Sequence, residues 1–458
     1  MCRPTLLLLL VSSAAAAQAP ALAHATAEYD LAQSLERRGL PSSAFDQYAR
    51  IIQAGPAHPF WLKAVEGAAL AARNLHDDVL APNLLEKAWT EQFLQLPKET
   101  QANIHASLAL FAYRAGNVEE AAPFVERVPA DSQAWPQARY VAGLLQQRLE
   151  PEKAVQTFRD LAGMPRAPAE LRELASLALG RTLYALKRWP EAGAAYSRLP
   201  RFSRHWDEAL FEGAYADLRS GDPGGALGRL HSLRSPHLRD EFAPESLNLT
   251  AIIFQQRCLY PQVDAALAQF DREYLPMRDQ VKKLLAQDLP VEEHWRMLAA
   301  EDHRLPPAVQ HHLQKNERAA AFGAHLAALD REATRIRGDA LLAGSTLGPE
   351  LLDALARQKE LIERLAGKFV RGRLADIARR IDVLEADKEL IGFETLKGEK
   401  EMLEERFDVN AQLASQTIHR PEMPPKGHEY WPFDGEYWPD EIGYYRYTLK
   451  DACPRRQE

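Results

Sequence analysis

The chain has 458 residues, of which 46% are hydrophobic, so it is long enough to bury a sizeable core. Its formal charge of −8 is spread along the sequence with both signs interleaved, which excludes the concentrated basic patch that nucleic-acid backbones require. We therefore expect no nucleic-acid partner.

The first residues are typical of a secretory signal peptide. Arg3 precedes an apolar run from Leu6 to Val11, and alanine-rich sequence follows. A small-residue cleavage pattern ends at Ala23, so we predict a signal peptide over 1–23 and a periplasmic location. The alternative is an anchored or buried N-terminal helix, although the run is shorter than the ~20 apolar residues of a bilayer span. No later apolar stretch approaches the length of a bilayer span, so we expect no integral membrane segment after signal removal.

Residues 24–276 repeat one helix-pair unit. The first copy has a small residue on one helix, a Gly turn, then a small residue and an aromatic on the next helix, and a proline stop. These residues are Leu31, Ala32, Leu35, Gly39, Ala44, Tyr48 and Pro56. Two antiparallel helices approach closely only where small side chains such as Ala32 and Ala44 face each other, while Leu31 and Tyr48 fill the surrounding gaps.

Further copies of the unit follow at intervals of roughly 36 residues. A clear one contains Gly180, Ala192 and Tyr196, with a turn from Lys187 to Pro190. Other copies are centred on Ala68, Ala109, Ala142, Ala214 and Phe254. The glycine-rich turn at 221–225 interrupts the regular loop length and leaves the regularity of the array open.

These residues resemble the tetratricopeptide repeat (TPR) family, in which helix pairs of about 34 residues carry the same small, small, aromatic and proline order. The resemblance implies an all-α fold, a TPR-like array of helix pairs over 24–276. The alternative is an irregular helical bundle in which the alanine spacing arises by chance.

Residues 277–418 differ in composition, being rich in Ala, Leu, Glu, Lys and Arg, which favours long helices. A heptad-like register joins Leu374, Ile377, Ile381, Leu384 and Ile391. Polar residues interrupt this seam at positions 388 and 395. We therefore favour a helical hairpin folded through 344–348 over an intermolecular coiled coil.

Residues 419–458 form an aromatic, proline-containing tail. Its prominent aromatics are Tyr430, Trp431, Phe433, Tyr437 and Trp438. Each can bury about 150 Å² or more, so we expect them to pack back on the helices. A sugar- or peptide-binding strip and a disordered tail are the alternatives.

Two cysteines remain after the signal peptide, Cys258 near the last repeat and Cys453 at the end of the tail. In an oxidising compartment they are candidates for one disulfide that clamps the tail to the array. Two free thiols or intermolecular pairing are the alternatives.

No catalytic motif is present. The sequence has no Gly-rich phosphate loop, nucleophile elbow, HExxH or CxxC pattern. The adjacent His311 and His312 point about 100° apart on a helix, so they cannot easily share a metal ion. We expect a protein that is not an enzyme and that uses no metal or cofactor.

A helical array offers an extended groove for a peptide or a partner helix. Candidate groove residues on the first helices are Tyr29, Gln33, Arg181 and Tyr215. We therefore predict a protein–protein interaction scaffold.

A second resemblance concerns the stretch from Asp207 through 242–246 to Phe270, with 435–438 and 443–445. It is similar to periplasmic envelope TPR proteins of myxobacteria and their relatives, which implies envelope proteins as partners. The alternative function is a peptidoglycan- or carbohydrate-binding module that contacts the cell wall through its tail aromatics. Oligomeric state stays open.

Overall fold

The structure is a computed structural model that describes residues 7–75, 77, 80–404, 417–419, 437–438 and 440–453. These residues form 19 α-helices, two short 3-10 helices (Glu91–Gln95 and Pro236–Leu238) and two short strands. The first ten helices are α1 (Leu7–Arg37), α2 (Pro41–Gln53), α3 (Trp61–Leu75), α4 (Leu80–Lys87), α5 (Lys98–Ala115), α6 (Val118–Glu126), α7 (Trp135–Leu149), α8 (Pro151–Ala162), α9 (Ala169–Ala185) and α10 (Trp189–Tyr196). The others are α11 (Trp206–Arg219), α12 (Pro223–Leu233), α13 (Glu245–Gln255), α14 (Tyr260–Leu285), α15 (Val291–Ala299), α16 (Pro307–Gln314), α17 (Glu317–Gly338), α18 (Ala340–Ala343) and α19 (Leu347–Glu404). None of the described helices is both long and apolar enough to span a bilayer.

The chain divides into two compact units. Unit 1 comprises Met1–Leu145 and Glu317–Ala366, and unit 2 comprises Gln146–Asn316 and Gly367–Glu458. These limits differ from the predicted boundary at 276. Pro276 does not end a helix but lies inside α14. That helix continues past the proline because Val281 and Leu284 keep burying the same apolar face. Each unit therefore combines repeat helices with later helices.

Within each unit, helices that follow one another in the chain pack as pairs. Unit 1 packs α1 on α2, α2 on α3, and α5 on α6. Unit 2 packs α9 on α10, α11 on α12, and α13 on α14, and neighbouring pairs also touch. The prediction of an all-α, TPR-like array of helix pairs is therefore confirmed.

Small residues of the repeat lie where the helices are closest. Ala32, Ala44 and Ala192 have no solvent exposure. A Cβ atom placed on Gly180 would lie 2.6 Å from the ring of Tyr196, which is too close for any side chain. The aromatic of one helix thus occupies the space that the missing side chain leaves on its partner, and Leu31 lies at the partly buried edge of the first pair.

The turn inside each pair repeats one backbone conformation. Gly39, Gly116, Lys187 and Gly221 follow the first small residue of their copies by the same seven positions, and all four have a left-handed φ between 60° and 85°. Glycine adopts this conformation without strain, which explains three of the four. The periodic Gly turn is therefore a helix C-terminal cap.

The predicted hairpin forms between α17 and the beginning of α19, and α19 then continues well beyond it. Helix α19 is one continuous helix of 58 residues. The Lys359 Nζ atom lies 2.6 Å from Asp330 Oδ1 of α17, so only the beginning of α19 turns back along α17. In unit 2 the residues of the predicted seam are buried against the chain's own helices. Because they are buried, they cannot form an intermolecular coiled coil.

The two polar seam positions are satisfied within unit 2. Lys388 Nζ lies 2.6 Å from Asp271 Oδ1 of α14. The buried Thr395 hydroxyl donates to the Ile391 carbonyl oxygen at 2.8 Å. These residues break the heptad pattern because they face a polar partner or their own helix backbone rather than an apolar core.

Candidate functional site

The predicted groove residues of unit 2, Arg181 and Tyr215, are already engaged by neighbouring side chains. Arg181 donates to both carboxylate oxygens of Glu212 at 2.6–2.9 Å and to Glu208 at 2.7 Å. Tyr215 meets Phe211 edge-on, with ring centroids 5.3 Å apart. Burial, and then the charge of Glu245, raise the pKa of Tyr215.

The face of unit 2 near Tyr215 is covered by α19. Ile391 joins the buried cluster that contains Leu249 and Phe254 of α13, and Tyr215 packs against it. Asn248 Nδ2 also donates to the Leu384 carbonyl oxygen at 2.9 Å. The heptad seam of α19 was the sequence signal for this contact, but its partner lies more than 130 residues away. This part of the expected groove is therefore filled by the chain itself.

Tyr29 and Gln33, the other two predicted groove residues, lie in unit 1. The Tyr29 ring stacks on Phe60 at 4.9 Å and 4°. Gln33 Nε2 donates to the Tyr29 hydroxyl oxygen at 3.1 Å. Lys63 Nζ lies 5.9 Å from the Tyr29 ring centroid, within cation–π range. These residues build a partly buried aromatic stack rather than an open recognition surface.

Unit 1 contains an open groove that the sequence did not indicate. Its volume is about 700 Å³, and α2, the first residue of α3, α4 and the start of α19 line it. Ile52 and Trp61 form an apolar floor, and the Trp61 Nε1–H donates to the Ile52 carbonyl oxygen at 3.1 Å, which fixes the indole. Leu361 projects into the groove from α19 with 46% of its surface exposed.

The rim of this groove is rich in groups that hydrogen-bond peptide backbones. Its polar residues are Asp46, Gln53, Asn83, Lys87, Thr90, Arg357 and Gln358. Amide side chains offer both donors and acceptors, so they can pair with the N–H and C=O groups of an extended chain. The Thr90 hydroxyl oxygen is buried and has no hydrogen-bond partner among the described residues. An apolar floor beneath such a rim suits a peptide with one or two apolar side chains.

A second feature of interest is the docking of the tail on α12 in unit 2. The strand β2 (Arg446–Thr448) packs along α12 and pairs in antiparallel register with β1 (Thr417–His419). A Cβ atom on Gly228 would overlap the Tyr445 carbonyl oxygen, and one on Gly224 would overlap that of Tyr447. Gly224, in the turn that interrupts the repeat, and Gly228, one helical turn later, thus let the tail backbone reach the helix.

The side chain of His231 anchors the tail aromatics. Its ring stacks on Tyr437 at 4.7 Å and meets Tyr445 edge-on at 4.9 Å. The hydroxyl groups of Tyr437 and Tyr447 lie 3.3 and 3.2 Å from His231 Nδ1. Burial, and then the charge of Arg234, lower the pKa of His231 to about 4, so the ring is uncharged at neutral pH.

A disulfide holds the end of the tail. Cys258 and Cys453 are bonded to each other, with Cα atoms 5.0 Å apart and 195 positions between them in the chain. The Ala452 N–H donates to the Arg257 carbonyl oxygen at 3.0 Å beside it. Of the alternatives left open for the two cysteines, the structure has the internal disulfide.

The predicted tail aromatics that the structure describes differ in their exposure to solvent. Trp438 is 49% exposed, whereas Tyr437 faces His231. Tyr430, Trp431 and Phe433 lie outside the described residues.

The two histidines considered for metal binding have separate partners. His311 Nε2 lies 3.3 Å from Glu241 Oε1. The His312 ring lies 5.3 Å from that of Phe242. Their neighbours therefore differ, as their positions on a helix required.

Comparisons with known proteins give structural neighbours, of which two are distant in sequence. No protein-family model matches the chain, and no curated protein matches it. A tetratricopeptide repeat protein from Parabacteroides merdae ATCC 43184 superposes with a TM-score of 0.35 and 14% identity, covering 54% of this chain and 92% of that one. A chain of the Naa15/Naa10 complex bound to HypK-THB gives a TM-score of 0.28 and 15% identity, covering 83% and 62% respectively.

Proposed function

We propose that this chain is a non-enzymatic interaction scaffold that binds a peptide segment of another protein in the groove of unit 1. The groove carries this proposal, because it combines a volume of about 700 Å³, an apolar floor at Trp61 and a rim of amide side chains. The helix pairs of unit 1 hold these side chains on regular helices, so the groove is present before the partner arrives.

We further propose that the scaffold serves a complex of the bacterial envelope, in the periplasm. Two observations support this location. The first residues have the charge and apolar run of an export signal. The Cys258–Cys453 disulfide is of a kind that persists in oxidising compartments.

The test places a charge in the groove and compares the proteins that co-purify from envelope extracts. Leu361→Glu puts a carboxylate over the apolar floor. We expect the recovery of a protein that co-purifies reproducibly with the unaltered chain to fall at least tenfold. Leu70→Glu is the matched control, since Leu70 is 41% exposed in the same unit and does not line the groove. Equal recovery of the partner with both variants would refute binding in the groove.

The tail aromatics support a second candidate, a cell-wall contact. Trp438 and Tyr444 are 49% and 55% exposed, and the Arg201 guanidinium lies 5.2 Å from the Tyr444 ring. Exposed aromatic faces suit sugar rings. Sedimentation with purified sacculi tests this candidate, and unchanged binding by Trp438→Ala with Tyr444→Ala would remove it.

A further inference from the structure

The end of α19 has an exposed face with its own heptad spacing. Ile391, Thr395 and Met402 on the inner side are buried in unit 2. On the other side, six exposed residues follow one another at intervals of 3, 4, 3, 4 and 3, as the contact positions of a coiled coil do. We call them the outer seam, and they are Ala386, Glu389, Phe393, Leu396, Lys400 and Leu403.

The outer seam is unusually apolar for a surface. Phe393, Leu396 and Leu403 are 68%, 66% and 65% exposed, and Leu390 beside them is 59% exposed. Single exposed apolar residues are ordinary, but four on a short stretch of one helix form a continuous patch. Such patches mark contact surfaces.

The outer seam is complementary to itself when reversed. Each residue has a counterpart at the same distance from the point midway between positions 394 and 395. The counterparts are Ala386 with Leu403, Glu389 with Lys400, and Phe393 with Leu396. A large side chain therefore meets a small one at each end, a carboxylate meets an ammonium group twice, and apolar residues meet in the middle.

Only the antiparallel arrangement gives this match. In a parallel pair, Glu389 would face the same glutamate of the second copy and Lys400 the same lysine, and like charges in contact positions are repulsive. The antiparallel pair also has a two-fold axis, and two-fold symmetry is the commonest symmetry of homodimers.

We propose that two copies of this chain associate through antiparallel pairing of their outer seams. The paired stretch of 386–403 is roughly 27 Å long at 1.5 Å per residue. That is a small contact, so we expect a reversible dimer with a dissociation constant on the order of micromolar.

Sedimentation equilibrium of the full chain with charge-reversed variants tests the pairing. Glu389→Lys and Lys400→Glu should each weaken dimerisation at least tenfold, because each places like charges opposite each other. The double variant should restore dimerisation to within threefold of the unaltered chain. Arg371→Glu is the control, since this exposed residue of α19 lies outside the outer seam and reversal there should change nothing.

A monomer at 100 μM would overturn the proposal, and so would single reversals that leave the dimer intact. A double variant no tighter than the singles would exclude the antiparallel register.

Carbodiimide cross-linking gives a second measurement. It joins Lys400 to Glu389 only between copies, because the two residues lie roughly 16 Å apart along one helix. When isotopically labelled and unlabelled copies of the unaltered chain are mixed, we expect cross-linked peptides that join one copy of each kind. Their absence would contradict this register.

Discussion

Gly228 determines how closely the tail approaches α12. The Tyr445 carbonyl oxygen occupies the space where any Cβ atom of residue 228 would lie. We expect Gly228→Ala to push the tail off the helix and to lower the free energy of unfolding by about 1–3 kcal/mol. Urea unfolding measures the loss, and limited proteolysis should show faster cleavage around residue 450.

Gly372→Ala is the control for this substitution. Gly372 lies within α19, and a Cβ atom there meets no other atom within 4 Å. Alanine is the better helix former by about 1 kcal/mol, so this variant should be equally stable or more stable. A Gly228→Ala protein that behaves like Gly372→Ala would show that the tail does not pack against α12.

Helix α12 and the tail together form a pH-sensitive contact. The lowered pKa of His231, about 4 against an ordinary value near 6.5, means that the docked state disfavours the protonated ring. The contribution of this histidine to stability is complete above pH 6.5 and is lost as the pH falls from 6.5 towards 4.

We expect the unaltered chain to lose about 2 kcal/mol more stability than His231→Asn between pH 7 and pH 5. His105 and His312 also have lowered pKa values, but they titrate in both proteins, so the difference isolates His231. Urea unfolding at the two pH values gives this difference. Parallel losses in both proteins would contradict a neutral His231 in the docked state.

The sequence predicted those elements whose signals are local. Ala32, Ala44 and Tyr48 lie within one helix pair, so their spacing could be read directly, and so could the Gly turns. Contacts between distant segments could not be predicted, because no short-range pattern specifies the partner. Glu332 of α17, for example, accepts from the Ser42 and Ser43 backbone N–H groups at 2.8 and 2.7 Å and thereby caps α2 from 290 residues away.

The same reason explains why the sequence did not indicate how the groove is lined or where the tail docks. The seam of α19 was visible, but its docking on α13 was not. Gly224 lies in a turn that looks irregular in the sequence, but it contacts the tail backbone at Tyr447, far along the chain. The open groove of unit 1 takes side chains from α2, α3, α4 and α19, and their convergence is a property of the fold alone.

For the molecule as a whole, the disulfide joins two distant parts of the chain. It closes a loop of 195 positions, so it removes much conformational freedom from the unfolded state. We expect Cys258→Ser with Cys453→Ser to lower the free energy of unfolding by about 2–5 kcal/mol. Denaturant unfolding with and without reductant measures this, and the reduced unaltered chain should match the double variant. An unchanged midpoint would contradict the clamp.

A scaffold must present its groove to partners in the cell. Under the proposed function, the groove of unit 1 is a docking site for another protein. Site-specific photo-cross-linking in living cells, with a photoreactive amino acid at position 361 or at position 70, tests it most directly. We expect a discrete cross-linked partner from position 361 and none in common with position 70. Identical patterns from both positions, or no protein partner from position 361, would contradict it.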